Sequence, residues 1–220
     1  MKMTMARQLL LTALALAAAS AVHAQGITDA TGDFLPTYAG PRNGDVDVVR
    51  AFAGYDPGSN RFSFSGTFAA AIGATPGAFY VFGLNRGAGS ERFVAGRPSV
   101  GQGVLFDAVV FLRPDTTARV IRFVGSTNTF TELAAGTASI SGNTISGSID
   151  GSLLPSTGFT SANYTWNLWP RTGATNDTIA DFSPDRSNVQ VSAVPEPETY
   201  ALFAAGLGLL GLVKRRRRTA

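Results

Sequence analysis

Cysteine is absent from this chain of 220 residues, histidine occurs once, and lysine occurs only as Lys2 and Lys214. His23 falls near the N-terminus, so the long middle of the chain has no imidazole base, no thiolate and no amine nucleophile. Ser-His-Asp and Cys-His arrangements are excluded there. Zinc on His or Cys, and haem on its usual His, are excluded as well. Without disulfides, stability must come from packing. The formal charge of +3 is misleading, because seven of the 18 basic residues (Lys2, Arg7, Lys214 and Arg215 to Arg218) sit at the two ends. Between them 11 arginines face 13 Asp and Glu, a balance near −2. The basic character belongs to the ends, and no nucleic-acid partner is implied.

The two ends read as sorting signals. Residues 1–24 combine Lys2 and Arg7, an apolar stretch over 9–19, and Val22-His23-Ala24 with small residues at −3 and −1 of a cleavage site. This is the pattern of a secretory signal peptide, passed by the Sec translocon and cut by signal peptidase after Ala24. At the other end, residues 194–220 run from Val194-Pro195-Glu196-Pro197 through an uncharged apolar stretch at 199–213 to Lys214-Arg215-Arg216-Arg217-Arg218. The apolar stretch makes roughly 22 Å of helix, short for a bilayer that asks for about 20 residues. Snorkelling basic residues extend its reach. The arginine cluster resists translocation and stays cytoplasmic. Pro195 and Pro197 keep the approach to the helix extended and open to a membrane peptidase. Gly206-Leu207-Gly208-Leu209-Leu210-Gly211 has the letters of a dinucleotide fingerprint but follows no strand and opens no βαβ unit. The arginines beside the apolar helix are a topology signal, not a nucleic-acid patch.

Proline-acid motif, apolar helix and basic cluster, in that order, resemble the PEP-CTERM sorting signal recognised by exosortases. The resemblance implies that an exosortase acts near Pro195, Glu196 and Pro197, with Arg215, Arg216, Arg217 and Arg218 holding the tail in the inner membrane transiently. It implies an exported protein: a membrane-anchored precursor with a periplasmic domain, then a cell-surface or extracellular-matrix product.

Residues 25–193 read as one all-β domain. Arg61 to Phe68 alternates aromatic with small polar residues, a half-buried strand. Residues 55–60 before it form a turn in which Gly58 would take the positive φ. Further strands are expected at 79–84, 105–112, 119–124, 137–140, 144–149, 164–169 and 189–191. Hairpin turns fall at 113–117 and 141–143. Residues 69–73 read as a loop or one helical turn. No fixed repeat is present, which argues against solenoids and propellers. The expected fold is a single antiparallel β-sandwich, jelly-roll-like, flanked by a signal helix and a transmembrane helix. Segments near 86–103 and 170–187 read as long surface loops, where binding usually sits.

Three sites are candidates inside the domain. Asp29, Asp33, Asp45 and Asp47 supply oxygen ligands near glycine turns and would suit a structural Ca²⁺; Asp45 and Asp47, two apart, would face the same way. Asp177, Asp181 and Asp185 crowd a later loop. Tyr164, Trp166 and Trp169 could stack on a sugar, with Trp169 in opposite phase to Trp166 and more available. Glycoside hydrolysis needs only two carboxylates, but no spacing singles out a pair, and Glu91 and Glu132 are the domain's only glutamates. The stretch Ile27 to Asp33 followed by Asp45-Val46-Asp47-Val48-Val49 also resembles the opening of DOMON-like and family 9 carbohydrate-binding sandwiches. That resemblance implies sugar or haem as ligand, and a domain without His or Met lacks the haem ligands. The expected function is a non-enzymatic structural or interaction role at the surface. The alternative is an exopolysaccharide-binding module steadied by Ca²⁺.

Overall fold

Alternation of apolar and small polar side chains writes most of this domain as strands. The computed structural model describes residues 26–125 and 127–194. The strands are β1 (Ile27–Thr28), β2 (Val48–Asp56), β3 (Arg61–Phe68), β4 (Phe79–Asn85), β5 (Ala108–Leu112) and β6 (Ala118–Val124). They continue with β7 (Thr127–Leu133), β8 (Ala138–Ser141), β9 (Thr144–Asp150), β10 (Thr165–Arg171), β11 (Val189–Gln190) and β12 (Ser192–Ala193). They form two six-stranded sheets, β1-β2-β3-β9-β8 with β12 added beside β2, and β11-β10-β4-β5-β6-β7. Neighbours pair antiparallel, except that β12 runs parallel to β2.

The two sheets bury one shared apolar core. Phe62, Phe64 and Phe68 from β3, Ile145 and Ile149 from β9, and Ala51 and Ala53 from β2 meet Tyr80, Phe82 and Leu84 from β4, Val110 and Leu112 from β5, and Trp166 and Leu168 from β10. Phe64 lies 5.0 Å from Phe82, and Phe62 stacks on Tyr164 at 5.5 Å, centroid to centroid. Ser63, Ser65 and Thr67 alternate with these phenylalanines and take the outer face, as a period of two requires. Strands β4 to β7 form a plain meander within one sheet. That connectivity replaces the jelly-roll-like crossing expected from the sequence.

The turn before β3 is built differently from expectation. The Asp56 carboxylate accepts the Gly58 amide at 2.9 Å, and the left-handed residue is Asn60 at φ 50°, not Gly58. A short polar side chain tolerates that conformation. Gly142 in the β8–β9 turn has φ 60°, which glycine adopts freely.

The segments expected as surface loops are folded down instead. Residues 86–107 and 172–188 cover the outer face of the second sheet and enclose a second apolar core. Phe93, Val104, Phe106, Ile179 and Phe182 pack there on Val81, Val109, Ile121 and Trp169. Asparagines stitch the cover down. Asn176 donates to the Phe93 and Pro98 carbonyls at 2.8 Å each. Asn188 and Leu105 exchange hydrogen bonds of 2.7 and 2.9 Å.

Among the described residues, no helix is long and apolar enough to cross a membrane. The expected signal helix and the apolar helix at 199–213 lie outside the described residues.

Candidate functional site

Three separate stretches of sequence bring acidic residues to one edge of the domain. The N-terminal arm carries Asp29 and Asp33. Its β1 pairs with β2, and the Asp29 amide donates to the Val49 carbonyl at 3.1 Å. Asp47 sits where a 3-10 turn (Gly44–Val46) passes into β2. Asp181 and Asp185 follow β10, in a return segment that runs back along that strand with Leu168 and Ser183 paired. Carboxylate oxygens of Asp29, Asp33 and Asp185 lie within 4.8 Å of one another, as do those of Asp33, Asp47 and Asp181. Asp33 belongs to both groups.

Hydrogen bonds hold the inner members in place. Asp181 accepts the Val48 amide at 3.1 Å and the Phe182 amide at 2.7 Å. Both Asp47 oxygens accept the Gly32 amide, at 3.1 and 2.9 Å. Asp47 and Asp181 are buried, while Asp33 and Asp185 are exposed. Among the described residues no ion pair joins any of the five to an arginine. Burial, reinforced by the charges of Asp29 and Asp33, pushes the Asp181 carboxyl up to about 8. Burial also raises Asp47, with Asp33 adding, and raises Asp29, with Asp33 and Asp185 adding. Ser183 is fully buried beside Asp29 and partly offsets that rise. Even so, the Ser183 hydroxyl and the Asp29 Oδ2 have no partner at hydrogen-bonding geometry.

Asp45 is not part of this group. Its carboxylate accepts the Thr75 hydroxyl at 2.6 Å, the Thr75 amide at 2.8 Å and the Gly73 amide at 3.2 Å. The 3-10 turn breaks the two-residue alternation that would have aligned Asp45 with Asp47. Sequence spacing therefore found three of the five residues, and it placed Asp181 and Asp185 in a separate cluster. Only the return of the chain along β10 brings the two together.

The three aromatics expected to stack on a sugar are buried. Tyr164 lies in the main core and donates its hydroxyl to the Leu154 carbonyl at 2.9 Å. Trp166 lies in the same core, 6.1 Å from Phe82. Trp169 does face the other way, but into the second core, edge-on to Phe93 at 5.1 Å and 1% exposed. The cover over the second sheet removes the face that a sugar would need. A shallow groove on the outer face of the first sheet is lined by Phe52, Ser63, Ser65, Ser146 and Ser148.

Three further carboxylates have structural partners. Buried Asp107 pairs with Arg86 at 3.0 Å. Glu132 pairs with Arg113 and Arg119, and Glu91 accepts the Gly103 amide.

The chain leaves the domain along the edge of the first sheet. In β12, Ser192 and Ala193 pair with Gly54 and Tyr55, and the Val194 amide donates to the Tyr55 carbonyl at 3.0 Å. Pro195, Glu196, Pro197 and Arg215 to Arg218 lie outside the described residues, as does Ala24. Residues 193–218 match the family model described as the PEP-CTERM protein-sorting motif. The tail is thus a PEP-CTERM sorting signal, the mark of an exported protein whose membrane-anchored precursor is processed by an exosortase. The match covers the tail and only the last two described residues of the β domain. No curated protein and no solved structure matches the chain significantly, so the DOMON-like resemblance gains no support.

Proposed function

We propose that this protein is a non-enzymatic structural or interaction component of the cell surface or extracellular matrix, its β-sandwich delivered as the cargo of its tail. The observation that carries the reading is the sorting motif at residues 193–218. It begins where β12 ends its pairing with β2. A cut near Pro195-Glu196-Pro197 would therefore leave every described strand intact. Signal peptidase, acting after Ala24, and the Sec translocon are the partners at the other end. The domain's chemistry supports a passive role. Asp45, Asp107, Glu91 and Glu132 outside the acidic cluster are occupied by arginines, amides or hydroxyls, and the tryptophans are interior. The test is deletion of residues 194–220. The truncated protein should be soluble and mislocalised, whereas normal surface delivery would refute the role given to the tail.

A second reading, binding of exopolysaccharide, is favoured by one feature, the serine-lined groove with Phe52 in it. Hydroxyls there could hydrogen-bond a glycan while the ring stacks on a sugar face. A glycan array separates the two readings. Binding that is lost on Phe52→Ala supports the module, and a blank array supports the structural role.

A further inference from the structure

A carboxylate taken out of water is stable only when it is paired, coordinated or protonated. The domain shows the paired solution at Asp107, where Arg86 donates its Nε at 3.0 Å and adds bonds to the Asp107 and Pro155 carbonyls. The edge cluster contains no such partner among the described residues, yet five carboxylates converge on it and two of them are buried.

A second observation is independent of that crowding. Ser183 is fully buried, its hydroxyl reaches no partner, and it sits close enough to Asp29 to perturb it. The Asp29 Oδ2 beside it is equally unpartnered. The Asp29 Oδ2 can only accept and the Ser183 Oγ keeps its lone pairs free, so both can face a cation.

We propose that Asp29, Asp33 and Asp185, with the Ser183 hydroxyl beside them, hold a Ca²⁺ ion over a floor formed by the buried carboxyl groups of Asp47 and Asp181. The donors are all hard oxygens, which suit Ca²⁺ or Mg²⁺ and not a soft metal. Three carboxylates and a hydroxyl from two loosely joined segments suit the flexible shell of Ca²⁺ better than the near-ideal octahedron that Mg²⁺ demands. Exposed Asp33 and Asp185 leave an entry path and room for water to complete the shell. The ion would join the N-terminal arm, the start of β2 and the return after β10, segments that strand pairing ties together only at short contacts. Extracellular modules bind Ca²⁺ at about 0.1–1 mM, so the domain would tighten on export.

The test uses the full-length chain in detergent micelles, stripped with EDTA and then titrated with CaCl₂. Calorimetry should show a site with Kd of about 0.1–1 mM, and thermal melts should rise with Ca²⁺ and less with Mg²⁺. Asp33→Asn and Asp185→Asn should each weaken Ca²⁺ about tenfold. In EDTA the same variants should melt at or above the wild-type temperature, because each removes like-charge repulsion. Neither heat nor a change in melting up to about 10 mM Ca²⁺ would overturn the proposal, that being above the weakest such sites. So would an unaltered response in both variants, which would place the ion elsewhere. A loss of stability in EDTA equal to that in Ca²⁺ would reduce the two aspartates to ordinary turn residues. None of these outcomes bears on the tail, whose sorting role is tested separately.

Discussion

Arg86 and Asp181 show two fates of a buried charge in one small domain. Arg86 is 1% exposed and fully engaged, with its guanidinium on Asp107 and on two carbonyls. Arg86→Ala should therefore leave Asp107 buried without its cation, held only by the amides of residues 86 and 88 and the Thr157 hydroxyl, at a cost of about 3 kcal/mol, read as a lower urea midpoint. Asp181 has no cation partner, and its carboxyl is pushed up to about 8 by burial and by the charges of Asp29 and Asp33. Asp47 lies against it as well. A raised carboxyl pKa means that the folded state holds a proton which the unfolded chain gives up near pH 4. The stabilisation is present at low pH and is lost as pH rises towards 8. No His, Cys or Lys lies between residues 26 and 194 to mask this window. In EDTA the melting temperature should fall between pH 6 and pH 9, and the fall should shrink in Asp181→Asn. A melting temperature that rises over the same range would contradict this. The spacing of Asp45 and Asp47 suggested a shared face, but the rule of two holds only inside a strand, and the 3-10 turn at Gly44–Val46 intervenes. Asp45 spends its oxygens on Thr75 and Gly73 instead.

At the scale of the element, strands were legible wherever one face meets the core and the other meets water. The Phe62, Phe64 and Phe68 alternation predicts β3 with its observed bounds. The residues before β5 read as strand, but Asp107 turns its carboxylate to Arg86 and the ladder starts at Ala108. β7 has no apolar period to announce it, because the only apolar residues of Thr127–Leu133 are exposed Phe130 and core-packed Leu133, three apart and so on opposite faces. The largest misreading concerns the Gly- and Asn-rich segments. Their composition suggests solvent, but Phe93, Phe106 and Phe182 bury themselves and the asparagines satisfy backbone carbonyls that would otherwise be stranded. Gly83 is essential to that cover, because a Cβ there would lie 2.1 Å from the Trp169 ring. Gly83→Ala should force the indole off its seat and cost about 1–3 kcal/mol. The check is a red-shifted tryptophan emission together with a lower melting temperature; an unchanged spectrum would mean that the second core yields easily.

At the scale of the whole molecule, the sequence divides more cleanly by chemistry than by motif. Lysine, histidine, methionine and the excess positive charge all belong to the ends, and the β domain between them is weakly acidic. The address was legible because order and charge alone define it. The cargo's role was not, because its function-prone residue types, the tryptophans and aspartates, take their meaning from which segments the fold brings together. The boundary between cargo and address is physical: Val191 is buried in the main core and β12 still pairs with β2, while the sorting motif starts at residue 193. Ending the chain after Val194 should leave the melting temperature close to that of the intact protein. Ending it after Gln190 should lower it, since burying a valine side chain is worth about 2 kcal/mol and the β12 pairing goes with it. The most direct measurement of the sorting claim is mass spectrometry of the C-terminus of the mature protein isolated from native cells. Exosortase processing predicts a C-terminus near Pro195-Glu196-Pro197, with the apolar stretch and Arg215 to Arg218 gone; a mature protein still ending at Ala220 would contradict it.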